Sequence, residues 1–258
     1  MKRDTLRQII TVIAVLATIV VNALANILPF NGQETGAISD RFAIYFVPAG
    51  YVFSIWGLIY LGLIAYAIFQ ALPAQRENPR LRSIGGLFLL SSVANIAWIF
   101  LWHYEVFPAT LPVMLVLLGS LIAIYLRLGT GRSPVSRAET WMVRVPFSVY
   151  LGWITVATVA NATQLLYFLG WNGGALGPEV WTAVMLAVAV LLAWLMAITR
   201  RDVAYLLVLV WAFIGIASKH AGTPTVSSAA WIATVLVAAA VVWSVVMKLR
   251  RAGPTIAA

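Results

Sequence analysis

Apolar residues fall along this chain in long blocks, far longer than the short alternating runs of half-buried strands. The blocks cover about 6–29, 48–72, 83–103, 109–128, 140–169, 178–198, 203–219 and 228–249. A membrane-crossing helix needs about 20 consecutive, mostly apolar residues, so the pattern predicts eight spans, the seventh being the shortest. Helix-start chemistry sits between the blocks. Ser136 and Glu139 form an S-x-x-E capping box ahead of the fifth. Pro178 and Glu179 open the sixth, Asp202 can N-cap the seventh, and Ser227 or Ser228 the eighth. The expected fold class is all-α, a polytopic integral membrane helix bundle.

Composition sharpens this. Of 258 residues 62% are apolar and 10% charged, with a mean hydropathy of +0.95, whereas a soluble domain carries about 25% charged residues. A soluble single-core enzyme, a disordered chain and a disulfide scaffold are excluded. The absence of cysteine removes disulfides, Cys metal sites and thiol nucleophiles.

The net charge of +9 could suggest nucleic acid, but its placement argues otherwise. Fifteen of the seventeen basic residues fall in alternate connections: Lys2, Arg3 and Arg7; Arg76, Arg80 and Arg82; Arg127, Arg132, Arg137 and Arg144; Arg200 and Arg201; Lys248, Arg250 and Arg251. The other connections hold only Arg41 and Lys219, and the acids divide evenly. This is the positive-inside pattern. It predicts a multi-pass protein of the cell membrane with both termini cytoplasmic, a bilayer as partner and no nucleic acid. A competing reading takes Lys2, Arg3, the run from Ile9 and Ala23-Leu24-Ala25 as a cleavable signal peptide. The length of the apolar run favours a retained first span.

No Asp or Glu lies deep in a span, which argues against proton relays, cation coupling and a retinal counter-ion. Hydrolase, P-loop and zincin motifs are absent, so no catalytic residue and no metal site is expected. His103 and His220 at outer helix ends could form a bis-His haem site, but solvated interfacial histidines are the expectation. What remains inside is amides, hydroxyls and indoles. Asn22 and Asn26 are at i, i+4 on the first span, and Asn95, Trp98 and Trp102 share a face of the third. On the fifth, Tyr150, Trp153, Ala157, Asn161 and Gln164 form one continuous stripe. Trp141, Trp171, Trp181 and Trp231 fit an interfacial aromatic belt. Trp56, Trp98 and Asn161 lie at similar depths, about 8–12 Å below the outer ends of their helices at 1.5 Å per residue. Three helices thus present aromatic and amide groups at one level, the wall of a small-molecule pocket; helix packing alone is the alternative. The outer connection 30–47, with an Asn-Gly pair and with Phe42, Tyr45 and Phe46 along it, reads as a lid or as an interfacial segment.

These residues resemble the TspO/translocator-protein family of tryptophan-rich sensory proteins (TspO/MBR). Its second-helix pattern, P-P-G-W-V-F followed by W-T-x-L-Y, is similar to Pro48-Ala49-Gly50-Tyr51-Val52-Phe53 and Trp56 to Tyr60. Its L-N-x-x-W resembles the stretch Asn95 to Trp98, and its Y-L-x-W-x-x-x-A-x-x-x-N matches Tyr150, Leu151, Trp153, Ala157 and Asn161 at identical spacing. Here Tyr51 stands for a Trp, the gap before Trp56 is one residue shorter, and Val149 stands for a Pro. The resemblance covers about 6–169. It implies a five-helix core over 1–170, leaving 171–258 as an extension of three further membrane helices. It also implies a pocket roofed by the first connection and formed by Tyr51, Phe53, Trp56, Asn95, Trp98, Trp102, Tyr150, Trp153, Ala157 and Asn161. Its ligand would be a planar hydrophobe such as porphyrin or haem, with no cofactor required, in a sensory role. A homodimer is compatible with this. A small-molecule transporter, a light- or oxygen-dependent porphyrin-modifying enzyme and a ligand-free structural protein remain as alternatives. In the enzyme reading, indoles with light or oxygen would do the chemistry in place of acid–base groups.

Overall fold

The computed structural model describes residues 2–171 and 173–251; Asn172 and Ala258, near the two ends of the extension, lie outside them. Among the described residues the chain is helical without strands. The long helices are α1 Lys2–Ile27, α2 Ile55–Ala71, α3 Pro79–His103, α4 Phe107–Arg127, α5 Val145–Phe168, α6 Gly177–Arg200, α7 Val203–Lys219 and α8 Pro224–Arg251. Seven of these segments are long and apolar enough to cross a membrane. Helix α7, with 17 residues, rises about 25 Å. It still reaches both ends of the bundle: Asp202 at its start bonds to Tyr125 and Ser148, and Lys219 at its end pairs with Asp40 of the first connection. Large aliphatic side chains such as Leu61, Ile68, Leu191 and Val235 stand exposed on the flanks, as lipid-facing positions must. The protein is a polytopic membrane helix bundle.

Buried polar groups fix how the helices are rotated. Gln8 of α1 donates to the Gln70 carbonyl in the last turn of α2 and to the Leu72 carbonyl just beyond it, and Gln70 donates back to the Gln8 carbonyl. Asn22 of α1 donates to Asn95 of α3 at 2.6 Å, and Asn95 donates to the Tyr150 hydroxyl of α5 at 3.0 Å. Asp202 caps α7 by accepting from the Tyr205 amide. Ser136 accepts from the Glu139 amide, but the Glu139 carboxylate does not reach back as a capping box requires. It takes a bidentate pair from Arg80 at 2.6 and 2.7 Å, because a buried carboxylate gains more from a guanidinium than from one amide. The chain then makes a π-helical turn, Thr140–Arg144, before Pro146 in the first turn of α5. Helix α8 begins at Pro224, three residues before the expected cap, so Ser227 lies inside it and bonds the Ala217 carbonyl.

Three glycines let neighbouring segments approach closely. A Cβ on Gly62 of α2 would lie 2.9 Å from the Pro146 Cβ, and one on Gly152 of α5 3.1 Å from the Tyr205 carbonyl and Val208 of α7. At Gly215 of α7 a Cβ would overlap Val52 and touch Pro48 at 3.0 Å. Val52 is stiff and fully buried, so it cannot turn aside. Gly215→Ala should therefore lower the melting temperature in detergent, an overpacking cost of about 1–3 kcal/mol. Gly57→Ala, where nothing lies within 4 Å, should not lower it. Val52→Ala added to Gly215→Ala should recover part of the loss; no recovery would show that the contact is not the cause.

Candidate functional site

The stripes expected on the third and fifth spans meet in the half of the bundle under the first connection. The Trp98 indole N–H on α3 donates to Asn161 Oδ1 on α5 at 3.3 Å. Asn161 Nδ2 donates to Thr110 Oγ1 on α4 at 2.9 Å and to Gln164 Oε1 at 3.1 Å. The Trp98 ring stacks on Trp102, with centroids 5.0 Å apart. Trp153 meets Phe53 edge-on at 5.7 Å and Trp56 at 6.3 Å.

These groups enclose a cavity of about 60 Å³. Its walls are Phe53, Trp98, Trp102, Trp153, Ala157 and Asn161, and its roof is Thr35, Ser39, Ile44, Val47 and Pro48. Gln164 lines it as well; it continues the α5 stripe one turn past Asn161, which is the signal that would have added it. Two of the lining residues carry buried donors with no partner among the described residues, the Trp153 indole N–H and the Gln164 amide nitrogen. A second, larger space of about 550 Å³ adjoins it, lined by Asn22, Asn26, Trp56, Tyr60 and the residues of the roof around Thr35; Phe53 and Thr35 border both.

Four of the ten expected pocket residues therefore lie elsewhere. Trp56 faces the second space, stacked on Tyr60 and edge-on to Tyr150. Asn95 and Tyr150 are buried but line neither space, because Asn22 and Tyr150 take up the Asn95 amide. Tyr51 is about half exposed and edge-on to Trp211 of α7. The backbone explains this last departure: Gly50–Ser54 is a 3-10 turn, and its three-residue repeat sends Tyr51 outward while Val52 and Phe53 turn in. Thr110 carried no sequence signal, being a lone hydroxyl near a helix start.

The first connection lies across this end and is tied down. Asn31 donates to the His103 carbonyl at 3.0 Å, and the Trp102 indole donates to the Thr35 carbonyl at 3.1 Å. Thr35 Oγ1 lies 3.2 Å from His103 Nε2. Phe30 stacks on Phe100. Gln33 and Arg41 both donate to Glu105, at 2.8 and 2.9 Å, and Lys219 pairs with Asp40 at 2.6 Å. The hydrogen bonds from Gln33 and Arg41, aided by the Arg41 charge, hold the Glu105 carboxyl below the usual glutamate range. His103, expected to be solvated, is fully buried beneath Thr35. His220 packs edge-on to Tyr45, where burial and the Lys219 charge push its pKa down. The histidines thus face different parts of the connection. Among the described residues no group of three or more His, Asp or Glu could hold a metal.

The family model described as TSPO-like protein matches residues 8–243, taking in the last three helices as well as the first five. No curated protein and no solved structure matches the chain. Since the family match spans most of its length, the chain belongs to the TSPO-like protein family.

Proposed function

We propose that the protein is a membrane-embedded binding protein for a planar hydrophobic ligand that carries a hydrogen-bond acceptor, a tetrapyrrole being the class the family suggests. The observation that carries this is the pair of unpartnered donors, Trp153 Nε1 and Gln164 Nε2, on one aromatic cavity. An unmade buried hydrogen bond costs about 1–3 kcal/mol, so an acceptor on a ligand would be held by both. A cavity of about 60 Å³ is far below the roughly 300–1,000 Å³ of small-molecule sites. Entry therefore requires the first connection to lift and Phe53 to move, which joins the two spaces into one.

Titration with protoporphyrin should quench the tryptophan fluorescence. Trp153→Phe keeps an aromatic ring and deletes the donor, so affinity should fall about tenfold, the worth of one hydrogen bond. Ala157→Leu should fill the cavity and abolish quenching with a nearly unchanged melting temperature. Lost stability with unaltered affinity would make Ala157 a packing contact and defeat the proposal at this wall.

The tether supplies a second test. Glu105 has its pKa lowered in the folded protein. Its contribution is therefore complete above the ordinary glutamate value of about 4.3 and is lost as pH falls through the lowered value. Glu105→Gln should release bound porphyrin faster at neutral pH. The unaltered protein should release porphyrin faster on the acid side and this variant should not; an identical pH profile in both would assign the loosening to another group.

The basic end is assigned to the cytoplasm. Reporter fusions after Trp171 and after Arg251 should report opposite sides of the membrane, and the same side for both would refute three crossings between them.

A further inference from the structure

At the end opposite the aromatic cavity, the loop between α4 and α5 folds against the α6–α7 junction and encloses a polar pocket of about 380 Å³. Five cationic side chains line it: Arg132, Arg144, Arg200, Arg201 and Lys248. None makes an ion pair among the described residues. The one acid on the lining, Asp202, already accepts from Tyr125, Ser148 and the Tyr205 amide.

The positive charge is held in place by neutral groups. Arg144, buried to 6% exposure, donates to the Leu128 carbonyl and to Ser133, and its Nε has no partner among the described residues. Arg200, buried to 8%, donates to the Thr130 carbonyl and sits over the Tyr125 ring at 5.6 Å. The buried Thr130 hydroxyl and Arg201 Nε also lack partners among the described residues. The backbone is shaped for this assembly. Gly131, at φ +76°, lies so close to the Arg200 backbone that no side chain fits, and Arg201 takes a left-handed φ of 51°. A positive-inside bias explains the sign of these residues but not their convergence on one pocket with free donors.

A second feature adjoins it. An apolar groove of about 740 Å³ runs between α2, α5 and α7, walled by Leu58, Trp141, Val149, Leu207 and Trp211. It shares Thr140, Val145, Asp202 and Lys248 with the polar pocket. From Asp202 to Trp211 it follows α7 for about 13 Å at 1.5 Å per residue.

We infer that the pocket and groove together form a binding site for an anionic phospholipid. The phosphodiester sits among the arginines and Lys248, and an acyl chain lies along the groove toward Trp211. The paired features favour this occupant: the cations call for an anion, and the continuous apolar groove calls for a chain attached to it. Basic pockets between membrane helices are known recognition sites for acidic headgroups. A zwitterionic lipid would bring an ammonium group into a pocket that already holds five cations and one acid, whose carboxylate is engaged by Tyr125, Ser148 and the Tyr205 amide.

The test uses the full-length protein in neutral detergent, with the melting temperature read as lipid is added. Phosphatidylglycerol should raise it saturably, while phosphatidylcholine and glycerol phosphate at equal concentration should not. Arg132→Gln combined with Lys248→Gln, both exposed positions, should weaken the phosphatidylglycerol effect by about thirtyfold, from the roughly 1 kcal/mol that each basic residue contributes. Arg137→Gln, on the same end but off the lining, should leave it unchanged. Ala204→Trp, which fills the groove, should also weaken it. An equal response to phosphatidylcholine, or an unaltered response in the double variant, overturns the inference. A response to glycerol phosphate that survives Ala204→Trp would assign the pocket to a soluble phosphate compound and overturn the lipid.

Discussion

A polar group buried in a membrane bundle has no water to turn to, so its partner must come from the protein. That constraint sets the rotation of the helices here. Each interhelical amide bond is modest, about 0.6 kcal/mol, yet each is directional. Asn22, Asn95 and Tyr150 tie α1, α3 and α5 in a line, while Asn161 ties α3, α4 and α5 at a hub. Once these bonds are made, Trp98 and Trp153 must face inward, and lipid-facing rotations would strand several polar groups together. The cavity is thus a consequence of how the amides pair.

The extension supports the same wall. Gly152 precedes Trp153, so one turn of α5 offers a bare backbone to α7 on one side and an indole to the cavity on the other. Likewise the 3-10 turn Gly50–Ser54 presses Val52 against Gly215 and presents Phe53 to the cavity. The Ala49 amide donates to the Gly215 carbonyl, and the Trp211 indole to the Val52 carbonyl. With the Lys219–Asp40 pair holding the first connection, α7 buttresses both the wall and the roof. The last three helices and the first five share one continuous core, which agrees with a family match that runs through both.

Much of this was legible because it is periodic. Long apolar blocks announce membrane helices, and the stripe from Tyr150 to Gln164 keeps its register since α5 is regular from Val145 to Phe168. What was not legible depends on irregular backbone or on long-range pairing. Tyr51 was displaced by a 3-10 turn that no spacing announces. Asn95 shares a face with Trp98, but whether it lines a cavity depends on Asn22, 73 positions away. His103 has the local sequence of an interfacial residue and is buried only because a loop 68 positions earlier covers it. Glu139 had the spacing of a capping box, and a distant arginine outcompeted it.

The two ends of the bundle solve opposite electrostatic problems. The roofed end keeps few charges and spends them in pairs: Arg41 with Glu105, Lys219 with Asp40. Neutral tethers do the rest: Asn31 to the His103 carbonyl and the Trp102 indole to the Thr35 carbonyl. At the basic end Arg80 and Arg82 are paired with Glu139 and Asp4, and the acids on that side are then largely committed. Arg144 and Arg200 are left buried with carbonyls, hydroxyls and a ring as company. Burying an unpaired cation is costly, and the fold could have avoided it by pointing these side chains outward as Arg137 does. Instead a loop with two left-handed glycines, Gly129 and Gly131, closes over them. A cost of that kind, concentrated at one pocket beside an apolar groove, is relieved when an anion arrives.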